Sequence, residues 1–319
     1  MIEKRKVVLV GTGFVGMSMA YSLLNQGGIN ELVLIDLDKE KAIGEAMDLS
    51  HGLPYAPGKM KIKAGGYEEC ADADIVVITA GAAQKSPDQT RLDLTLINAK
   101  IMTNVTESVM QSGFNGIFII ASNPVDLMAY VVKKVSGFPR EKVIGSGTVL
   151  DTARLRYIIG EHLNIASNNI HAYVMGEHGD SSLVPWNHCY VGCKKLLDII
   201  EEKGKTIEEL QDIHKEVINA GYEIIARKKA TYYGIGLSLV RIIKAILNNE
   251  NAILTVSTEL NGEYKQHNIF NGVPAVINHT GVADILNLPL NQQDQEKFDN
   301  SCQILKELRD GIETSLFIN

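Results

Sequence analysis

The chain has 319 residues, with 31 Lys and Arg against 38 Asp and Glu and a formal net charge of -7. That length suits roughly two domains with a sizeable buried core. The acidic balance, without any basic block, argues against nucleic acid or an anionic membrane as partner. No apolar run reaches the roughly 20 residues that span a bilayer. The first residues lead straight into a strand with no signal peptide, so the expected location is cytoplasmic. Cys70, Cys189, Cys193 and Cys302 show no disulfide framework, and Cys189 and Cys193 beside His188 lack a second ligand pair for zinc, so no metal is expected.

The apolar run 7–10 meets Gly11-Thr12-Gly13-Phe14-Val15-Gly16, an amphipathic run continues to about Gln26, and a second apolar run, 32–35, stops at Asp36. Strand, glycine turn, helix, strand and acid follow one another as in a dinucleotide-binding unit. Gly11 permits the tight turn, Gly13 lets the backbone approach a pyrophosphate, and Gly16 lets the helix lie near the strand. Phe14 and Val15 open the helix, whose free N–H groups and partial positive charge suit phosphates. Asp36 is placed to accept hydrogen bonds from the ribose hydroxyls and to repel a 2'-phosphate, and Leu37 and Asp38 supply no Arg for one, so the cofactor indicated is NAD.

A helix over 39–50 and a short strand over 61–64 come next. The run 74–79 is a strand buried on both faces, ending at Ala80-Gly81 on the edge where ligands bind in doubly wound sheets. Residues 82–90 read as a loop that opens and closes, followed by a helix over 92–111. A strand over 116–121 delivers Ser122-Asn123-Pro124 to the same edge, a helix spans 127–136, and 143–144 is the last strand of this half. Residues 1–147 therefore form an α/β, doubly wound parallel-sheet (Rossmann) domain.

Residues 148–319 read as an α+β substrate domain. The expected elements are a helix over 151–163, strands over 170–175 and 182–190, and a long helical region over 206–247 bending near 232–236. Strands at 252–260, 263–267 and 269–276 and a helix over 292–313 follow, the last with Phe298, Cys302, Leu305, Leu308 and Ile312 on one stripe.

Hydride transfer to a 2-oxo acid needs a proton donor, a carboxylate anchor and a group that polarises the carbonyl. Gly176-Glu177-His178-Gly179-Asp180 presents a histidine in a turn after a strand, and histidine changes charge near neutral pH. Asp151, at a helix start, could hold that imidazole, and Arg154, one turn on, could grip a carboxylate. His162, in Gly160-Glu161-His162, lies within a helical pattern and is read as structural.

The glycine turn, Asp36, Thr90-Arg91-Leu92-Asp93, Ser122-Asn123-Pro124-Val125-Asp126, residues 147–154 and residues 176–180 together resemble the L-lactate/malate dehydrogenase family over nearly the whole chain, most nearly its bacterial L-lactate branch. The resemblance implies that His178 is the proton donor and acceptor, Asp151 its partner, Arg154 the carboxylate anchor and Arg91 the carbonyl-polarising residue on a mobile loop, with Asn123 beside substrate and cofactor. It places Gln84 and Thr231 at the substrate side chain. A neutral Gln84 suits the methyl of pyruvate where malate enzymes carry Arg, and the small Thr231 disfavours branched 2-oxo acids. The segment Ser86-Pro87-Asp88-Gln89 departs from the family's usual wording of this loop.

Arg156 and His171 resemble the pair that binds fructose bisphosphate between subunits, and a homo-oligomer, dimer or tetramer, is implied. The rival readings are a malate or branched 2-hydroxy acid dehydrogenase, a NAD-dependent glycosidase, for which no Cys and His metal pair is evident, and a non-catalytic nucleotide-binding protein, in which the set of His178, Asp151, Arg154 and Arg91 would have no purpose.

Overall fold

A computed structural model describes residues 5–82 and 91–317, with Arg91 described through its backbone. The first half alternates strand and helix: β1 (Lys6–Val10), α1 (Phe14–Gln26), β2 (Glu31–Ile35), α2 (Lys39–His51), β3 (Lys61–Ala64), β4 (Ile75–Ile78), α3 (Arg91–Gln111), β5 (Ile117–Ile120), α4 (Val125–Ser136) and β6 (Val143–Gly145). These strands pair in parallel in the order β3-β2-β1-β4-β5-β6. Every residue of β1, β2, β4, β5 and β6 is buried, the result of apolar runs covered by helices on both faces. Val10 lies opposite Ile35 and Ile78, and Ile120 opposite Ile78 and Gly145. Gly11, Asp36, Thr79, Ala121 and Ser146 therefore leave the strands along one edge.

The second half contains α5 (Val149–Leu163), β7 (Ile170–His171), β8 (Tyr190–Val191), β9 (Lys194–Lys195), α6 (Leu196–Glu202), α7 (Ile207–Lys228), α8 (Tyr233–Leu247), β10 (Ala252–Asn261), β11 (His267–Asn278), β12 (Gly281–Ile285) and α9 (Gln292–Ile312). The strands β10, β11 and β12 extend the first-half sheet rather than forming one of their own. β10 runs antiparallel to β6 with Ser257 opposite Gly145, giving a nine-stranded mixed sheet among the described residues. An added Cβ on Gly147 would come within 2.4 Å of the Ser257 nitrogen, so glycine is what lets the chain cross here. A second core lies between α5, α6, α7 and the small β7-β8-β9 sheet, with Leu155, Ile159, Leu196 and Leu210 at its centre.

Several expected elements take a different form. The strands expected over 170–175 and 182–190 shrink to β7 and β8. Between them Met175 and Leu183 form a lone bridge, and Gly176, at φ 94°, turns the chain and bridges to Gly272 of β11. Residues 263–266 are no strand: Glu263–Lys265 is a 3-10 turn in which Tyr264 and Lys265 take positive φ, and only His267 of the expected run belongs to a strand, as the first residue of β11. The helical region 206–247 breaks over 229–232, beginning at Lys229 in the left-handed region at φ 72° and reaching only the first residue of the expected 232–236 bend. The nearby glycine has another purpose: a Cβ on Gly236 would lie 2.8 Å from Ser18 Cβ, so it brings α8 against α1. β9, α6 and β12 were not expected. The stripe on α9 is as read, with Phe298, Cys302, Leu305 and Ile312 buried and Leu308 packed at the margin.

Among the described residues no helix is long and apolar enough to cross a membrane, and no cluster of His, Cys, Asp and Glu could hold a metal ion. The four cysteines are free, and burial pushes the Cys70, Cys189 and Cys302 thiols each up to about 12.

Candidate active site

The glycine turn closes as its spacing requires. Gly11 adopts φ 104°, and a Cβ there would sit 2.7 Å from the Ala80 nitrogen; one on Gly16 would sit 2.2 Å from the Gly11 oxygen. Gly13 differs, because a Cβ there would meet nothing within 4 Å. No neighbour in the chain demands glycine at that position. It caps α1 without a side-chain hydrogen bond, so the helix start faces open space with its N–H groups available. A pyrophosphate fits that cradle on both shape and charge. Phe14 is exposed, Val15 half-buried and Gly81 exposed on the same edge.

Asp36 Oδ2 accepts from the Thr12 backbone at 2.7 Å and the Thr12 hydroxyl at 2.8 Å, and Oδ1 accepts from the Asp38 backbone at 3.1 Å. Burial pushes this carboxyl up, but the Thr12 and Asp38 hydrogen bonds outweigh it and hold the group below its ordinary value. With about four acceptor positions on a carboxylate, Oδ1 retains room for a ribose hydroxyl. Thr12, read only as part of the turn, is what fixes the acid in place.

Asn98, on α3, ties the neighbouring strand ends together. It accepts from the Ala82 backbone at 2.7 Å and donates to the Asn123 carbonyl at 2.8 Å, while the Ser122 hydroxyl donates to the Ala80 carbonyl. Sequence reasoning passed over Asn98 because it lies inside an otherwise ordinary helix. Asn123 itself stands exposed at the edge. Gln84, and with it the Ser86-Pro87-Asp88-Gln89 segment, lies outside the described residues. Arg91 opens α3, and its side chain also lies outside them.

Asp151, Arg154 and His178 meet. Asp151 Oδ2 lies 2.6 Å from His178 Nδ1 and its Oδ1 accepts from Arg154 Nη1 at 2.9 Å. The helical i, i+3 spacing puts both α5 side chains on one face. The α5 N-terminus is anchored from below: the Thr148 hydroxyl donates to the Val174 carbonyl, and the Thr152 hydroxyl accepts from the Val174 N–H and meets Thr255 on β10.

The His178 turn is pinned as well. Glu177 N–H donates to Ser301 of α9 at 2.7 Å, and His178 N–H donates to Asp126 of α4 at 3.1 Å. Burial pulls the imidazole down, but the charge and hydrogen bond of Asp151, with the charge of Asp126 behind them, hold it above its ordinary value. Burial pushes Asp151 up, and His178 and Arg154 more than offset it, so this acid stays ionised. The assembly offers a partly exposed imidazole whose Nε2 is left for chemistry and a guanidinium with N–H groups to spare.

Thr231 is half-buried in the link between α7 and α8. Its neighbour Tyr232 stacks on Phe14 at 5.2 Å, which draws the link toward the glycine turn. His214 on α7, not singled out in the sequence, lies 3.2 Å from the Ser182 hydroxyl, and burial pushes its pKa down to about 4. Arg156 turns away from this site: its Nε donates to the Ala172 carbonyl at 3.0 Å and its guanidinium lies 5.0 Å over Tyr173, while His171 of β7 is exposed. His162 is exposed in the last turn of α5 and takes no part in the site.

Comparisons with known proteins cover both halves. Residues 5–145 match the family description "lactate/malate dehydrogenase, NAD binding domain" and residues 148–315 match "lactate/malate dehydrogenase, alpha/beta C-terminal domain". The chain is 54% identical over 303 residues to L-lactate dehydrogenase 1 of Bacillus cereus, covering 95% of this chain and 96% of that one. It is 53% identical over 304 residues to L-lactate dehydrogenase 2 of the same species, with the same coverage of 95% and 96%. A crystal structure of a lactate dehydrogenase enzyme from a Medee basin deep-sea metagenome library superposes with a TM-score of 0.95 at 52% identity, over 98% of this chain and all of that one. The ligand-bound minor L-lactate dehydrogenase of Enterococcus mundtii superposes with a TM-score of 0.94 at 49% identity, over 96% of this chain and 98% of that one.

Proposed function

The chain belongs to the lactate/malate dehydrogenase family and is an NAD-dependent oxidoreductase, and from that premise we propose that it interconverts pyruvate and L-lactate with His178 as acid and base. The observation that carries this reading is the Asp151–His178 contact of 2.6 Å with Arg154 on the same carboxylate. NAD, when bound along the sheet edge, supplies the hydride acceptor or donor. Gly13 and the α1 N-terminus receive its pyrophosphate, Asp36 a ribose hydroxyl, and Gly81 and Asn123 line its path.

The chain's own residues do the rest. Arg154 pairs with the substrate carboxylate through the N–H groups that Asp151 leaves free. Arg91, at the start of α3, polarises the carbonyl, and a dry site strengthens each electrostatic contact inside. His178, protonated and steadied by Asp151, gives its proton from Nε2 to the carbonyl oxygen, and takes one back from the hydroxyl in the reverse direction. Gln84 and Thr231 shape the room for a methyl group and favour pyruvate over oxaloacetate or branched 2-oxo acids. Arg156 on α5 and His171 on β7 are read as a cationic site for fructose bisphosphate at the interface of a homo-oligomer.

Replacing His178 by Ala is expected to cut turnover by about 10³-fold while NADH still binds, as followed by its fluorescence. An active His178→Ala variant, or one that loses NADH binding together with turnover, would contradict the assignment.

A further inference from the structure

Asp126 is an acid that this chemistry leaves unused. It lies in the first turn of α4 and is only 2% exposed. An acid at this position of a helix ordinarily serves the free N–H groups of the first turn. Here α4 has Pro124 as its N-cap and no side-chain cap hydrogen bond, and Asp126 Oδ2 is turned to the His178 main-chain N–H at 3.1 Å. Oδ1 and the fully buried Ser257 hydroxyl on β10 make no hydrogen bond of good geometry among the described residues. Ser257 nevertheless acts on the Asp126 carboxyl, which burial pushes up against the hydroxyl and the His178 N–H. Enclosing a carboxyl to this degree costs stability unless hydrogen bonds offset it. What it touches is the backbone of the residue whose ring meets Asp151.

We propose that Asp126 is a positioning residue for His178, fixing the main chain of the 176–182 turn so that Nδ1 stays on Asp151 and Nε2 keeps its aim at the substrate. The turn hangs between two short backbone attachments, Met175 to Leu183 and Gly176 to Gly272. Neither of these reaches His178 itself. Side chains of α7 hold Asp180 and Ser182 further along, but at the start of the turn the Glu177 N–H is held by Ser301 from α9 and the His178 N–H by Asp126 from α4, so two elements of different halves fix the main chain there. Without the Asp126 oxygen the turn can pivot about Glu177, and a displacement of an ångström at the ring is enough to slow proton transfer.

This inference rests on the proposed role of His178, and the test separates the two. Asp126→Ala removes the acceptor, and Asp126→Asn keeps an amide oxygen in its place. Asp126→Ala is expected to lower kcat for pyruvate by about 10²-fold, with KM and NADH affinity changed less than about threefold and the isotope effect from deuterated NADH increased as chemistry becomes slower. Asp126→Asn is expected to recover most of that loss. Should Asp126→Ala not fold, Asp126→Ser, too short to reach the His178 N–H, carries the same expectation. A kcat within twofold of the parent, a loss shared equally by KM and NADH affinity, or an Asn variant as impaired as the truncated one would overturn the proposal. If His178→Ala is inactive while the Asp126 variants are normal, this inference alone fails; if His178→Ala is active, the underlying reading fails.

Discussion

At the scale of single residues, the protonation of His178 follows from what surrounds it. Burial disfavours the imidazolium, and Asp151, held ionised by His178 and Arg154, outweighs that penalty. The ring is therefore still protonated above the pH at which a free histidine loses its proton. With His178 as the proposed acid and base, pyruvate reduction uses the protonated ring and should fall as pH rises through this raised value. Lactate oxidation then uses the neutral ring and should rise over the same interval. Asp151→Asn removes the main charge, so both limbs are expected to move to lower pH by about one unit or more and turnover to drop about 10²-fold or more. Rate profiles measured in both directions check this, and limbs that stay in place would assign the proton to another group.

At the scale of elements, the break between α7 and α8 positions Thr231, and it rests on Lys229 in the left-handed region at φ 72°, with its N–H on the Ile225 carbonyl. A side chain with a Cβ is strained there, where glycine is not. Lys229→Gly is expected to raise stability by about 0.5–1 kcal/mol, read as a higher denaturation midpoint; a lower midpoint would mean that the lysine side chain contributes more than its backbone costs.

This junction also shows what the sequence could reveal. The parallel strands were legible because short apolar runs bounded by glycine and acid have few other uses. The helix break starts three residues before the expected bend because Lys229 takes a left-handed conformation that its residue type does not announce, and Gly236 serves the approach of α8 to α1. The strand expected over 263–267 became a turn because Gly262, Tyr264 and Lys265 all take positive φ, which composition does not announce. His178, Asp151 and Arg154 stood out because their chemistry is distinctive. Asn98, His214 and Asp126 did not, since each acts through contacts with residues remote in sequence.

At the scale of the whole molecule, the two halves share one sheet. β10 pairs with β6, α8 packs on α1 through Gly236, and the His178 turn is tied to α4 and α9. The edge that carries the glycine turn and the turn that carries His178 are thus parts of one frame. The most direct test of the account is NADH oxidation with pyruvate and, separately, with oxaloacetate, each with and without fructose bisphosphate. The expected result is preference for pyruvate by about 10²-fold or more, with the bisphosphate raising substrate affinity or shifting the subunit equilibrium through Arg156 and His171. Preference for oxaloacetate would contradict the assignment of substrate while leaving the catalytic set standing.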